Sequence, residues 1–180
     1  MKILHIISNL ETGGAETQLK QLVKYDVQNT HLIICLMSND YKKIFNLNNT
    51  KVLIFNLNFK KISFNISQII KLYKLIKQLK PEVIQTWMYK SDLIGGILGK
   101  IAGIKVYWNI RNTIIAERSV INKIFFLLNI LCSYFIPNKI ISCSEKAINE
   151  HVKLGYKKNF ELIFNSFDHN KFYEDMKIKV

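Results

Sequence analysis

VIQTWMYKSDLIGGILGKIAGIKVYWNIR, Val83 to Arg111, is the stretch from which the fold class is read. Val83 to Trp87 is a short apolar run that follows Pro81 and reads as a buried strand. Asp92 to Ala102 reads as a helix. Its Gly95, Gly96 and Gly99 are small residues that permit close packing. Lys105 to Arg111 is a second strand. A strand, a helix and a strand within roughly thirty residues make a parallel βαβ unit.

The alternation continues on both sides. Upstream, Ile3 to Ser8 is a first strand and Thr12 to Gly14 a turn. Ala15 to about Gln28 is a helix, His31 to Met37 a strand, and Lys42 to Asn48 a weak polar helical segment. Val52 to Asn56 is a strand, and Ile66 to Leu79 is an amphipathic helix that Pro81 stops. Downstream come an apolar helix from Ile121 to Phe135, a strand from Lys139 to Ser142, a helix capped by Ser144 and reaching about Leu154, and a short strand from Leu162 to Phe164. Near-continuous apolar strands between helices call for a mostly parallel sheet covered on both faces. Crossover handedness then gives a Rossmann-like, doubly wound α/β domain. The 180 residues, 49% of them hydrophobic, suit one such domain and are too few for two. No repeat, low-complexity segment or linker precedes about residue 165.

The net charge is +13, from 26 basic and 13 acidic residues. Nearly all the basic residues are Lys, and Arg111 and Arg118 are the only arginines. That argues against a reader of nucleic acid, which leans on the bidentate fork of Arg. The lysines either solvate the surface or draw the chain toward an anionic membrane face or phosphorylated substrates. Cys35, Cys132 and Cys143 sit in apolar runs without metal-ligand spacing, and read as buried reduced thiols of a cytoplasmic protein. The N-terminus does not read as a convincing signal peptide, and the apolar run from Ile124 to Ile136 is too short to span a bilayer. It reads as a buried or interfacial helix.

Ligands of open parallel sheets bind at the carboxyl ends of the strands, and three constellations lie there. The first is SNLETGGAETQ, Ser8 to Gln18, where Gly13 and Gly14 precede a helix N-terminus and Glu16 lies in its first turn. It reads equally as a phosphate seat or as a plain βα turn. Its spacing is neither that of a dinucleotide fingerprint nor that of a P-loop. The second is QTWMYKSD, Gln85 to Asp92. Here Trp87 and Tyr89 offer flat faces for a sugar or lipid, and Lys90, Ser91 and Asp92 offer polar contacts. The simpler alternative is that the aromatics are core and Ser91 caps a helix. The third is WNIRNT, Trp108 to Thr113, where Arg111 is suited to a phosphate or carboxylate and Asn109 and Asn112 to sugar hydroxyls. Its alternative is an ion pair from Arg111 to an acid such as Glu117. His5 reads as a core residue, His31 begins a strand, and His151 and His169 read as solvated. No catalytic-triad order, HExxH, CxxC or DxD is present, and no metal is expected.

These segments resemble glycosyltransferase family 4. The opening MKILHIISNLETGGAETQL looks like the start of that family, and PEVIQTWMYKSDLIGG and KVYWNIRNT resemble a subgroup associated with lipopolysaccharide and O-antigen assembly. ISCSEKAINEHVKLGY fits the close of the first domain, and ELIFNSFDHNKF, Glu161 to Phe172, the lead into a second. The resemblance implies the N-terminal, acceptor-side half of a GT-B enzyme, residues 1–164, with 165–180 starting the link to a donor-binding domain. It implies retaining, metal-independent transfer from a nucleotide-sugar to a polysaccharide or lipid-linked acceptor, with no bound cofactor. Gly13 and Gly14 match the loop near the donor diphosphate. Lys90, where relatives often carry His, is the one weak catalytic candidate, because a normal Lys is protonated at pH 7. Asn112 also stands where some relatives have His, and Phe164 and Ser166 replace a usual Pro and Gly. The candidate substrate-binding residues are thus Gly13, Gly14, Glu16, Trp87, Tyr89, Lys90, Arg111 and Asn112.

The family's paired glutamates, E-x7-E, do not occur in the 180 residues. The expectation is therefore half a catalytic unit, inactive alone, completed by a donor domain in cis or trans. Three other readings stand beside it: the acceptor- and membrane-binding subunit of a split transferase, a non-catalytic module for anionic ligands, and a sugar-nucleotide epimerase of the same architecture. The expected place is the cytoplasm, with peripheral contact on the inner face of the plasma membrane.

Overall fold

The computed structural model describes residues 1–10, 13–37, 52–56, 66–113 and 120–166. Within them run seven strands: β1 (Lys2–Ile7), β2 (Thr30–Cys35), β3 (Val52–Asn56), β4 (Val83–Trp87), β5 (Lys105–Ile110), β6 (Lys139–Ser142) and β7 (Phe160–Leu162). Five helices lie between them: α1 (Gly14–Tyr25), α2 (Ile66–Leu79), α3 (Tyr89–Ile101), α4 (Val120–Cys132) and α5 (Glu145–Lys153). The strands form one sheet in the order β3-β2-β1-β4-β5-β6-β7, and every pair is parallel. This is the expected Rossmann-like α/β fold.

The chain first steps outward from β1 to β3, then returns and steps the other way from β4 to β7. Right-handed crossovers must therefore put the helices of the two halves on opposite faces. On one face, Leu19 and Val23 of α1 pack with Ile7, Ile33 and Trp87. On the other, Leu72 and Ile76 of α2, Ile94 and Leu98 of α3, and Phe126 of α4 pack with Leu4, Ile6, Ile84, Val106 and Trp108. Side chains alternate along a strand, so Leu4 and Ile6 serve one core and Ile7 the other. Strand order reverses between β1 and β4, which opens a crevice at their carboxyl ends.

Several boundaries differ from the sequence expectation. Helix α3 begins at Tyr89, three residues before Asp92. Met88 turns the chain with a φ of 69°, and the Asp92 N–H already closes a helical turn on the Met88 carbonyl. Helix α1 ends at Tyr25, where the Asp26 N–H caps the Leu22 carbonyl. The last strand is Phe160–Leu162 and not Leu162–Phe164, because only those residues pair with Ile140, Ile141 and Ser142. Residues 42–48 lie outside the described residues. Cys35 is buried, Cys132 and Cys143 are half-buried, and none of the three is joined in a disulfide.

The small-residue expectation for α3 holds. A Cβ on Gly95 would meet Ile6 at 2.9 Å, on Gly96 the indole nitrogen of Trp108 at 2.7 Å, and on Gly99 Val106 at 2.8 Å and Ile84 at 2.9 Å. Gly14 is different, with nothing within 4 Å. Gly99→Val should cost about 2 kcal/mol or more through overpacking, whereas Gly14→Ala should change stability by only a few tenths. Denaturant midpoints of the two variants check this.

Candidate functional site

The crevice at the switch point is built from the ends of β1, β4 and β5. Ser8, just past β1, hydrogen-bonds Ser91 in the first turn of α3, Oγ to Oγ, at 3.0 Å. This ties the two strand ends together across the point of reversal. The loop from β1 enters α1 through Gly13, an extended N-cap without a side-chain cap. The Thr17 N–H and hydroxyl both donate to the Gly13 carbonyl, at 3.0 and 2.8 Å. Glu16 folds back so that its carboxylate lies where a Gly13 side chain would stand. Gly13, Gly14 and Glu16 are therefore one cluster at the positive end of the α1 dipole. A carboxylate there is favourable, and an incoming phosphate would meet its negative charge.

At the end of β4 the structure corrects the aromatic reading. Trp87 is 1% exposed, and its indole N–H donates to Nδ1 of His5 at 3.3 Å. Tyr89 turns into the core, edge-on to Phe126, with its hydroxyl 2.9 Å from Nε2 of His151. Neither ring stands free for a sugar, because a large apolar ring gains more from the core than from water. Ser91 and Asp92 are likewise fully buried. Ser91 is not a cap, and Asp92 takes the Thr86 hydroxyl at 2.6 Å. Of Tyr89, Lys90, Ser91 and Asp92, the first two are half-buried and the last two fully buried, and Lys90 has no ion pair among the described residues.

Arg111, at the end of β5, is also committed internally. Its Nε donates to Asn109 at 2.7 Å, and its Nη1 donates to the Ile163 carbonyl at 3.3 Å and to Asn165 at 2.7 Å. Its guanidinium lies 5.7 Å from the Trp87 ring. The ion pair to Glu117 falls outside the described residues. Gln18 of α1 holds the same outgoing segment: its amide donates to the Ser166 carbonyl, and its Oε1 accepts from the Ser166 N–H at 2.8 Å and from its hydroxyl at 3.0 Å. Between α1 and this segment runs a groove of about 440 Å³ whose lining includes Leu22, Trp87, Arg111 and Ile163. Asn112 is exposed beside it.

Burial sets the charges beneath the crevice. It raises the Asp92 carboxyl to about 7, against opposing hydrogen bonds from Thr86 and the Asn109 backbone. It lowers His5 to about 3, helped by His31, whose Nδ1 lies 3.0 Å from His5 Nε2. His5 is therefore a satisfied core residue, as expected. His31, at 3.2 Å from the Asp26 carbonyl, is buried with it. The solvated reading of His151 is corrected: it is fully buried, bonded at Nδ1 to the Ala147 carbonyl and at Nε2 to Tyr89, and burial lowers its pKa. His169 lies outside the described residues. Among the described residues no group of three or more His, Cys, Asp or Glu could hold a metal.

The sequence profile of Glycosyltransferase Family 4 matches residues 12–171. The chain belongs to glycosyltransferase family 4. No curated protein sequence matches it. Among solved structures, HepE of Anabaena in complex with UDP-glucose is similar, with a TM-score of 0.77 and 16% identity over 99% of this chain and 50% of that one. UDP-N-acetylglucosamine 2-epimerase of Rickettsia bellii has a TM-score of 0.64 at 14% identity, over 99% and 48%. The lipopolysaccharide outer core galactosyltransferase WaaB has a TM-score of 0.64 at 12% identity, over 93% and 46%. At these identities the likeness is one of fold, and this family 4 chain spans about half the length of those structures.

Sequence reasoning missed the residues that hold the site together. Ser8 and Ser91 are 83 residues apart, and Gln18 and Ser166 are 148 apart. Each stands in a motif that sequence reading singles out, but no local signal pairs them.

Two tests follow for this family 4 domain. The folded pKa of Asp92 is raised, so its unfolded form ionises first. Its contribution to stability is highest below 3.8 and declines as pH rises to about 7. His5 acts oppositely, costing stability as pH falls from 6.5 toward 3. Relative to wild type, Asp92→Asn should gain up to about 1.4 kcal/mol per pH unit across the Asp92 window. A pH-independent gap in urea midpoints would show that Asp92 is already ionised in the fold. Separately, Gln18→Ala should speed hydrogen exchange of the Ser166 amide roughly five- to tenfold. Exchange at the wild-type rate would mean the contact does not order the segment.

Proposed function

We propose that this chain is the acceptor-side half of a retaining, metal-independent glycosyltransferase. The whole enzyme would move a sugar from a nucleotide-sugar to a polysaccharide or lipid-linked acceptor in bacterial surface glycan synthesis. The observation that carries this is the family 4 match over 12–171 on a fold whose relatives, HepE with UDP-glucose among them, are about twice as long. The lipopolysaccharide setting draws support from the motif resemblance and from the likeness to WaaB. The crevice supports an acceptor role better than a donor one. Its α1 N-terminus is already faced by Glu16, and its Arg is engaged by the outgoing segment.

In this reading Gly13, Gly14 and Glu16 border the diphosphate from one side. Glu16 leaves the larger share of phosphate charge to the donor domain, and Lys90 offsets the rest as a cation. Ser8 and Ser91 fix the distance between the two loops. Asn112 faces acceptor hydroxyls. Trp87 acts through position, as the floor on which Arg111 rests. Stabilising a departing diphosphate needs several donors aimed at it, and this half supplies few.

The 180-residue chain alone should turn over UDP-sugars or other nucleotide-sugars no faster than buffer. The native polypeptide detected through this domain should have a mass near twice 21.1 kDa, or else co-purify with a donor-domain subunit. Robust sugar transfer by the isolated chain would overturn the half-enzyme reading.

A further inference from the structure

The layer of α2, α3 and α4 buries one side on the sheet and presents an apolar outer side. Ile66 and Ile70 of α2, Ile101 of α3, and Ile124, Leu127 and Leu131 of α4 are all exposed, Leu127 by 64%. Between the helices lies a groove of about 200 Å³ lined only by apolar side chains and Cys132, with Ile97 and Leu128 at its edges. A patch assembled from three helices exceeds the scattered apolar exposure normal for a monomer.

Its charge is one-sided. Lys74 and Lys77 continue the helical stripe of Ile66 and Ile70, Lys100 adjoins Ile101, and Lys123 lies one turn before Leu127; all four lysines are exposed. Neither α2 nor α4 contains an acidic residue, and the single acid of α3, Asp92, is fully buried. The described outer face of these three helices therefore holds apolar side chains, cations and a few neutral polar groups such as Ser67 and Gln78, with no anion among them; the nearest helical acids are Glu145 and Glu150 of the neighbouring α5. Lysine stems can lie along apolar surface while their ammonium groups reach outward.

We propose that this face docks on an anionic lipid bilayer, with its Ile and Leu side chains entering the interface and its lysines meeting headgroup phosphates. The combination of apolar stripe and cationic border suits such a surface. No helix among the described residues is long and apolar enough to cross a membrane, so the chain would lie on the bilayer. Two other occupants fit less well. A second copy would set lysine against lysine with no acid to pair. A following domain has less to recommend it here, because the last described residue, Ser166, is held by Gln18 of α1 on the opposite face of the sheet.

The inference goes beyond the transferase reading, and its test contains no sugar nucleotide, so the two can fail separately. The 180-residue chain is floated with vesicles of phosphatidylcholine plus phosphatidylglycerol, and with vesicles of phosphatidylcholine alone. Binding is expected to the first set, to weaken in high salt, and to fall about tenfold or more in Leu127→Ser/Leu131→Ser and in Lys74→Gln/Lys77→Gln. These positions are exposed, so both variants should keep the wild-type melting temperature. Equal binding to both vesicle types, or wild-type binding by both variants, would overturn the proposal. So would a dimer in light scattering that Leu127→Ser/Leu131→Ser dissolves.

Discussion

The domain depends on how closely α3 can lie on its sheet. Gly95, Gly96 and Gly99 bring the helix backbone against Ile6, Trp108, Val106 and Ile84, leaving no room for a methyl group at any of the three. Each glycine weakens the isolated helix by about 1 kcal/mol relative to Ala, so packing outweighs propensity here. The result is a helix seated on β4 and β5 and reaching β1 across the point of reversal. Its position fixes where Met88, Tyr89, Lys90 and Ser91 emerge at the crevice.

That placement also decides which polar groups face a ligand. Because the first turn of α3 starts directly after β4, Ser91 and Asp92 are drawn into the domain and Lys90 stays at its edge. Met88 accepts a left-handed backbone, costing of order 1 kcal/mol, which lets the turn be that short. Desolvation disfavours charge on the buried groups, raising Asp92 and lowering His5. The crevice floor is thus low in charge, and its charged groups sit at the rim: Glu16, Lys90 and Arg111.

The alternation of apolar strands and helices was enough to read the sheet, its parallel sense and most element boundaries, since each rests on local periodicity. The close glycines of α3 were legible for the same reason. The roles of single side chains were less so. Trp87 and Tyr89 have the flat faces of a sugar site, yet each packs into a separate core, Trp87 bonded to His5 82 residues away and Tyr89 to His151 62 residues away. Arg111 stands just past β5, where the alternation puts it, but its partners Ile163 and Asn165 come from a segment that reaches it only after four more elements. Periodicity shows which face a residue takes. It does not show which distant residue arrives to meet it.

The grip of Arg111 on the outgoing segment links two events that a static picture keeps apart. The guanidinium that steadies Asn165 is also the cation nearest the crevice at the end of β5. An anion drawing that guanidinium toward itself would release Asn165 in the same movement, leaving Gln18 as the remaining tether of Ser166. Occupancy of the crevice and freedom of the departing polypeptide then become two sides of one equilibrium. By reciprocity, whatever tightens the tether must weaken the anion, and by the same factor.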